Sequence, residues 1–217
     1  MNFYDQLQLD TAAERQHLLD APVLRRAPEG RIGLDTYLAF LGQAYHHVRH
    51  TVPLLMACGA RLPDRLEWLR EAIAEYIDEE YGHQEWILND IAACGADAEA
   101  VRRSRPALAT ELMVSYVYDR IARHNPVSFF GMVNVLEGTS ITVASQAAHA
   151  LRESLGLPAQ AFTYLESHGS LDLEHIQLFA GLMNRLEDAD DKAAVTHTAK
   201  VAYRLYGDIF RSLPLSA

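Results

Sequence analysis

Two histidines and an aspartate recur at helical spacing in the segment His168-Gly-Ser-Leu-Asp172-Leu-Glu-His175. Offsets of four and three residues bring the three side chains onto one face of a helix. Two imidazoles and a carboxylate form a mixed nitrogen and oxygen donor set, which suits iron, manganese or zinc better than calcium or magnesium. The alternative is a set of solvent-exposed polar side chains, and the triplet alone does not decide between the two.

A second pair of candidate ligands lies in the segment Asp78-Glu79-Glu80-Tyr81-Gly82-His83. Glu80 and His83 have the ExxH spacing of carboxylate-bridged di-iron helix bundles. Glu79 competes with Glu80, because it precedes His83 by four residues and would share its helical face. Tyr76 precedes His83 by seven residues, so it also shares that face and is a candidate for lining a substrate pocket.

A third candidate, Glu137, is a carboxylate in the almost wholly apolar or small segment 129–143. A carboxylate in a buried helix is costly unless it is paired, protonated or bound to a metal. Phe130, Val133 and Ile141 would then form apolar walls of a substrate pocket around it. The three segments together supply three carboxylates and three imidazoles, the number and kind of ligands that two iron ions need. The predicted metal ligands are Glu80, His83, Glu137, His168, Asp172 and His175.

Other histidines and cysteines could in principle bind a metal or react, but they have simpler interpretations. His46 and His50 are four residues apart and could form another metal site or, with His47, offer an axial haem ligand. No carboxylate accompanies them, so a packing role is expected. Cys58 and Cys94 form no CxxC pair and have no obvious activating base, and we expect both thiols to be inert.

Helical periodicity runs through nearly the whole chain, and no segment has the alternation of a strand. It predicts an all-α fold, a single-domain bundle of about seven helices over residues 1–217. The expected helices cover residues 3–19, 35–58, 63–94, 106–124, 126–155, 159–187 and 192–213.

Several interruptions of these helices are also expected. The first should break near Asp10-Thr11, and Pro53 should kink the second. Residues 21–33 read as a loop. Gly131 and Gly138 lie in the apolar fifth helix, where each costs about 1 kcal/mol relative to alanine, so close backbone packing or a bend is expected at both.

The composition limits the classes of partner. The chain has 29 acidic and 19 basic residues and a net charge of −10, which repels phosphate backbones, so no nucleic acid is expected. There is no signal peptide, no basic amphipathic segment and no apolar run near the roughly 20 residues of a membrane span, so no membrane is expected either. Two cysteines in 217 residues favour a reducing, cytoplasmic setting, with a single disulfide as the alternative. The expected partner is a small-molecule substrate.

The combination of E-x-x-H, an apolar helix with V-L-E-G, and H-x-x-x-D-x-x-H resembles the haem-oxygenase-like di-iron oxidases and oxygenases. The resemblance implies a haem-oxygenase-like fold with its metal-binding core at about 35–210. It also implies two Fe ions, Fe2+ or Fe3+, held by the six predicted ligands. It implies that O2 is a co-substrate in the oxidation of a small metabolite such as an amino acid or fatty acid, and that the protein forms a homodimer. Some members have a carboxylate seven residues before the histidine. Tyr76 occupies that position here, so Glu80 takes the role, or Glu79 if the helix is distorted.

The same fold hosts other functions. A thiaminase II-like hydrolase needs a nucleophilic cysteine in the pocket, and residues 126–145 contain none. Haem oxygenase could use His46 or His47 as its axial ligand, but Glu137 and His175 would then have no role. A non-catalytic iron-binding protein would bind iron without consuming oxygen.

Overall fold

The computed structural model describes residues 1–215, apart from the side chains of residues 168–174. This described part contains α-helices and single 3₁₀ turns and no β-strand, so the all-α prediction is confirmed. The helices are α1 (Phe3–Asp10), α2 (Ala12–Leu19), α3 (Pro22–Arg26), α4 (Leu34–Val48), α5 (Thr51–Gly59), α6 (Glu67–Glu80), α7 (His83–Ala93), α8 (Ala98–Arg103), α9 (Leu108–Arg123), α10 (Phe129–Leu155), α11 (Thr163–Arg185) and α12 (Ala189–Ser212).

The apolar helix α10 lies at the centre of the bundle and packs chiefly against α11 and α12. Gly131 makes the closest approach, since an added Cβ would lie 2.5 Å from the Val195 carbonyl oxygen and 2.6 Å from the Ala199 amide nitrogen. The expected close packing is therefore confirmed at Gly131. Close packing is absent at Gly138, where the nearest atom, the Tyr203 hydroxyl, would lie at 3.9 Å, and the alternative of a bend there stays a prediction.

The segment Pro126–Leu155, which contains α10, is long and apolar enough to cross a membrane by length and composition. This corrects the expectation that no apolar run approaches that length. Within the protein, 61% of its most apolar stretch is buried. Burial of this kind is typical of the core helix of a soluble domain, because such a helix satisfies the same composition test as a membrane span.

The helix expected over residues 35–58 is divided into α4 and α5 at Arg49 and His50. Proline has no amide hydrogen, and its ring clashes with the carbonyl four residues earlier, so it is tolerated only in the first turn of a helix. The break puts Pro53 in the first turn of α5. The chain therefore breaks into two helices before Pro53, and the expected kink within one continuous helix is replaced by this break.

The helix expected over residues 63–94 is likewise divided into α6 and α7. Gly82 has a φ of 95°, a left-handed conformation that residues with a Cβ rarely adopt. Glu80 is therefore the last residue of α6 and His83 the first of α7. The ExxH pair is presented by a turn between two helices, and the assumption of one continuous helix is wrong.

Two short helices were not expected as such. Helix α3 lies in the segment 21–33, which reads as a loop in the sequence, and α8 precedes α9. The break near Asp10-Thr11 is confirmed, since α1 ends at Asp10 and α2 starts at Ala12. The long segments predicted from periodicity are present, but they are divided more finely than a count of seven.

Candidate metal centre

The carboxylate of Glu137 is the most central of the predicted ligands. It belongs to α10, in the middle of the bundle, and only 8% of the residue is exposed. Its Oε1 lies 3.9 Å from Nδ1 of His175, which α11 contributes from the neighbouring position in the bundle. Glu137 and His175 are therefore brought together across the α10–α11 interface.

His175 also contacts α6. Its Nε2 lies 3.1 Å from Oε2 of Glu79, whose side chain remains half exposed. The centroid of its ring lies 5.7 Å from that of Tyr76, one turn earlier on α6. The residue that competed with Glu80 in the sequence thus contacts the imidazole of another helix, and α6 supplies a carboxylate to each histidine.

Glu80 and His83 form the second carboxylate–imidazole pair, with Oε2 and Nδ1 separated by 3.1 Å. The side chains are 12% and 4% exposed, so the pair is well shielded from water. The His83 ring lies against Trp86, with ring centroids 3.9 Å apart. This tilted ring contact packs the imidazole against the first turn of α7.

A cavity of about 80 Å³ connects the two pairs, because both Glu80 and Glu137 line it. Tyr76 and His47 add polar groups to its wall. The other lining residues are mostly apolar and include Val48, Leu55, Phe129, Met132, Val133 and Leu136. The site is thus an acidic space within hydrocarbon walls, where electrostatic interactions are stronger than in water.

Tyr76 lies within this acidic environment. Burial, and then the negative charge of Glu137, raise the pKa of the Tyr76 phenol well above its usual value. The side chain is therefore a neutral phenol at physiological pH, with a proton available for a hydrogen bond.

The donor types at this site fit iron. Glutamate carboxylates and histidine imidazoles are the ligands that non-haem iron uses, and helix bundles supply them from facing helices. Among the described residues, no group of three or more histidine, cysteine, aspartate or glutamate side chains is close enough to hold a metal ion. The predicted ligands His168 and Asp172 lie in residues 168–174, outside the described residues, and stay predictions.

The residues predicted to form a substrate pocket are placed differently from one another. Tyr76 and Val133 line the cavity. Phe130 packs in the core against Phe129 and Phe179, with ring centroids 5.7 Å and 6.4 Å away. Neither Phe130 nor Ile141 is among the described residues that line the cavity.

The three histidines at the end of α4 and at its junction with α5 lie in different environments. His46 Nε2 lies 2.8 Å from the Ser104 hydroxyl, and His50 Nδ1 lies 3.2 Å from the Tyr118 hydroxyl. These contacts agree with the packing role expected for both. His47, which the sequence offers only as an alternative axial haem ligand, is buried and lines the cavity. It was not among the residues predicted to line a substrate pocket.

The two thiols are free. Cys58 is buried, its Sγ donates to the Pro126 carbonyl at 3.2 Å, and burial raises its pKa to about 12. Burial also raises the pKa of Cys94, to about 11. Neither lines the cavity among the described residues, in agreement with the expectation that they are inert.

The helical bundle and its buried cavity, lined by two carboxylates and an imidazole, define an all-α protein of haem-oxygenase-like fold. Residues 38–207 match a family described as iron-containing redox enzymes. The match spans most of the chain, and the protein belongs to this family.

Solved structures support the fold assignment. A domain of unknown function with a haem-oxygenase-like fold from Shewanella denitrificans superposes with a TM-score of 0.83 and 22% identity, over 97% of this chain and 90% of that one. A TenA homologue from Pseudomonas syringae pv. tomato gives 0.79 and 11% identity, over 96% and 90%. Haem oxygenase-1 from the cyanobacterium Synechocystis, solved with haem, gives 0.73 and 14% identity, over 97% and 91%.

At these identities the likeness concerns the fold alone. No curated protein matches the sequence significantly. The haem-oxygenase-like fold predicted from the sequence is confirmed.

Proposed function

We propose that this protein is a non-haem di-iron oxidase or oxygenase that uses dioxygen to oxidise a small organic molecule. The observation that carries the proposal is the buried Glu137 carboxylate, 3.9 Å from His175 on the next helix, at a cavity that Glu80 also lines. Membership of the iron-containing redox enzymes supports the identity of the metal.

The ligands fall into two groups under this proposal. Glu80 and His83 would hold one iron ion, and His175 would hold the other, with Glu137 available to both. Glu79 contacts His175 and would be an additional ligand or a hydrogen-bond partner of that imidazole. Iron bound here would supply the electrons that reduce dioxygen. His168 and Asp172 remain proposed ligands from the sequence.

The protein's own part in the reaction is to bind the substrate and exclude water. Phe129, Met132, Val133 and Leu136 form an apolar wall of the cavity along one side of α10. Such a wall keeps bulk water and stray reductants away from a reactive oxidant. The neutral phenol of Tyr76 can hold a proton beside Glu137 and donate a hydrogen bond to an oxygen atom of the substrate.

The proposal further implies a small organic molecule as the principal partner and a reducing, cytoplasmic setting. The free thiols of Cys58 and Cys94 are in keeping with that setting.

The test is the reactivity of the Fe(II)-loaded protein with oxygen. Wild type, Glu137→Ala and His175→Ala would be loaded with Fe(II) without oxygen and then mixed with oxygenated buffer in a stopped-flow spectrometer. We expect a fast oxygen-dependent change in visible absorbance in the wild type and at least a tenfold loss of its rate or amplitude in both variants.

Two exposed positions provide matched controls. Glu75→Ala alters α6 one turn before Glu79, and His197→Ala removes an exposed imidazole on α12. Both should react like the wild type. A wild type that takes up iron but does not react with oxygen would favour a non-catalytic iron-binding protein. Equal reactivity in all five proteins would overturn the assignment of the site.

A further inference from the structure

The proposed function requires a supply of electrons. Iron that has given electrons to dioxygen must be reduced before it can react again. The apolar wall of the cavity keeps soluble reductants away from the metal. The electrons must therefore pass through the protein itself, from a group at the surface to a metal ligand.

Two described ring contacts join an aromatic side chain to a predicted iron-binding imidazole. The ring centroids of Tyr76 and His175 lie 5.7 Å apart, but only 3% of Tyr76 is exposed. The ring centroids of Trp86 and His83 lie 3.9 Å apart, with the ring planes inclined by 31°, and Trp86 is partly exposed at the surface. Trp86 therefore links a buried metal ligand to the solvent through two rings in van der Waals contact.

Arginines lie beside Trp86, although the chain as a whole has a net charge of −10. Glu85, its neighbour in α7, accepts two hydrogen bonds from the guanidinium of Arg102 in α8, at 2.7 Å and 2.9 Å. Arg103 and Arg105 come directly after this contact and are exposed. The ion pairs that the described residues form include neither of them, so both charges are available to a partner.

The turn after α8 is joined to the end of α4, which adds a third arginine. The Ser104 hydroxyl, between Arg103 and Arg105, lies 2.8 Å from Nε2 of His46. Arg49 follows His46 by one helical turn and is exposed. Burial, and then the positive charge of Arg49, lower the pKa of His46, so Arg49 lies close to this junction. Arg49, Arg103 and Arg105 thus form a basic patch on an acidic protein.

We propose that electrons enter the site at Trp86 and that the basic patch docks the protein that delivers them. The partner is an acidic protein with a one-electron redox centre, because the overall charge of −10 repels such a protein and the basic patch attracts it. The inference rests on the proposed function, since it supplies the electrons that function consumes.

The electron transfer balances without any change in covalent bonds. One electron passes from the reduced centre of the carrier, by way of Trp86 and His83, to Fe(III), which becomes Fe(II). The carrier is oxidised by one electron, and both side chains are left as they were. A second transfer reduces the second ferric ion.

The first test uses fully reduced flavodoxin, an acidic flavin protein that is too large to enter the cavity. Fe(II)-loaded protein would be oxidised in air, desalted, and mixed with it anaerobically in a stopped-flow spectrometer. The flavin hydroquinone anion loses one electron and becomes the neutral semiquinone, whose absorbance reports the rate. Trp86→Leu should be about tenfold slower than the wild type, because the ring contact with His83 is lost.

Trp68→Leu is the matched control. It removes the other tryptophan, which is also partly exposed and lies twelve residues, about 18 Å, before Glu80 on α6. It should react like the wild type. Each variant keeps one tryptophan, so fluorescence provides a readout without flavodoxin or oxygen. Anaerobic Fe(II) titration should quench the emission of Trp86 strongly and leave that of Trp68 almost unchanged.

Charge reversal tests the docking face while leaving Trp86 in place, so it stays informative if Trp86→Leu does not fold. The double variant Arg103→Glu/Arg105→Glu should react with flavodoxin about tenfold more slowly at low salt, and the wild-type rate should fall as salt is added. Arg26→Glu/Arg152→Glu is the matched control, because it reverses two exposed charges on α3 and α10. It should retain the wild-type rate.

Equal rates in Trp86→Leu and Trp68→Leu, or unchanged Trp86 emission in protein that contains iron, would overturn the electron route. A rate that is the same in both double variants would overturn the docking face. A wild type that contains Fe(III) but is not reduced by flavodoxin would overturn both. Iron content, assayed separately, distinguishes these failures from failure of the proposed function, since a protein that binds no iron removes the oxidase and the electron route with it.

Discussion

Among single residues, Asp90 shows how burial tunes a carboxyl group in this core. It lies on α7 with no solvent exposure, and its Oδ2 accepts a hydrogen bond at 2.9 Å from the Tyr164 amide at the start of α11. This contact satisfies one of the free amides of the first turn of α11, as a capping side chain does. Burial outweighs that stabilisation and raises the pKa of Asp90 from 3.8 to about 6.

We predict that Asp90→Asn changes the pH dependence of stability. Because the pKa of Asp90 is higher in the folded state, its protonation stabilises the fold below pH 3.8, and this contribution is lost as the pH rises through about 6. Asparagine can still accept the Tyr164 hydrogen bond. The unfolding free energy of the variant, relative to that of the wild type, should therefore rise between pH 4 and 7, by at most about 3 kcal/mol.

Urea unfolding at a series of pH values measures this difference. A difference in unfolding free energy that stays constant from pH 4 to 7 would contradict the raised pKa. A variant that is less stable at every pH would indicate that the hydrogen bond geometry of asparagine is inadequate.

At the same scale, part of the site could be predicted from the sequence. Glu137 was identified because a carboxylate in an apolar helix needs a partner, and the structure buries it beside His175. His47 and Ser140, which line the same cavity, could not be identified in this way. A histidine or serine is common on any helix, and its role depends on which helix packs opposite it.

Among the elements, α10 depends most on the size of single side chains. We predict that Gly131→Ala lowers the unfolding free energy by about 3 kcal/mol, because the new Cβ would overlap the α12 backbone at Val195 and Ala199. Gly138→Ala is the matched control in the same helix. It should raise the unfolding free energy by about 1 kcal/mol, since its Cβ has space and alanine favours helix.

Denaturant unfolding of the two variants checks the sign of each change. If both glycine substitutions have the same effect, the close packing of α10 against α12 is contradicted.

The turn between α6 and α7 has a different sensitivity. We predict that Gly82→Ala lowers the unfolding free energy by about 1–2 kcal/mol, because alanine is strained at a φ of 95°. The change should also weaken iron binding, since the turn brings Glu80 to 3.1 Å from His83. Gly181→Ala on α11 is the control, because an added Cβ there meets no atom within 4 Å.

Thermal unfolding and anaerobic Fe(II) titration of both glycine variants provide the measurements. If Gly82→Ala lowers the stability but leaves the iron affinity unaltered, the turn does not position the metal ligands, and the prediction is contradicted.

The boundaries of these elements show where sequence reasoning fails. Periodicity continues through residues 81–82 and 49–50, so both breaks are hidden in it. The ExxH pattern gives the same pair of residues whether the helix is continuous or broken. Glycine in a left-handed turn and glycine in a helix have the same letter, and only the tertiary packing selects between them.

On the scale of the whole molecule, the fold was predictable because helical periodicity and three ligand-bearing segments all indicate one architecture. Contacts between distant segments were not. Asp191 on α12 accepts hydrogen bonds from Arg65 at 2.6 Å and 3.1 Å and from Asn125 at 2.8 Å, and it is buried. Such a junction joins three parts of the chain, and no local pattern specifies it.

The two cavities of the core are also features that no local sequence pattern specifies. The second, of about 60 Å³, has mainly hydrocarbon walls and shares Ser140, Tyr164 and Tyr206 with the cavity of the site. The face of α10 from Glu137 to Leu151 is visible in the sequence as a stripe of small and apolar residues. A stripe of that kind usually packs against other helices, and only the arrangement of the bundle leaves space beside it. The division into an acidic and an apolar compartment is therefore a property of the assembled molecule.

The most direct test of the account is the iron content of the anaerobically loaded protein. Wild type, Glu137→Ala, His175→Ala and the controls Glu75→Ala and His197→Ala would be incubated with Fe(II), desalted without oxygen and assayed for iron per chain. The account predicts two iron ions per chain in the wild type and both controls, and a loss of at least one from Glu137→Ala and from His175→Ala. A wild type that retains no iron, or site variants that retain as much as the controls, would contradict it.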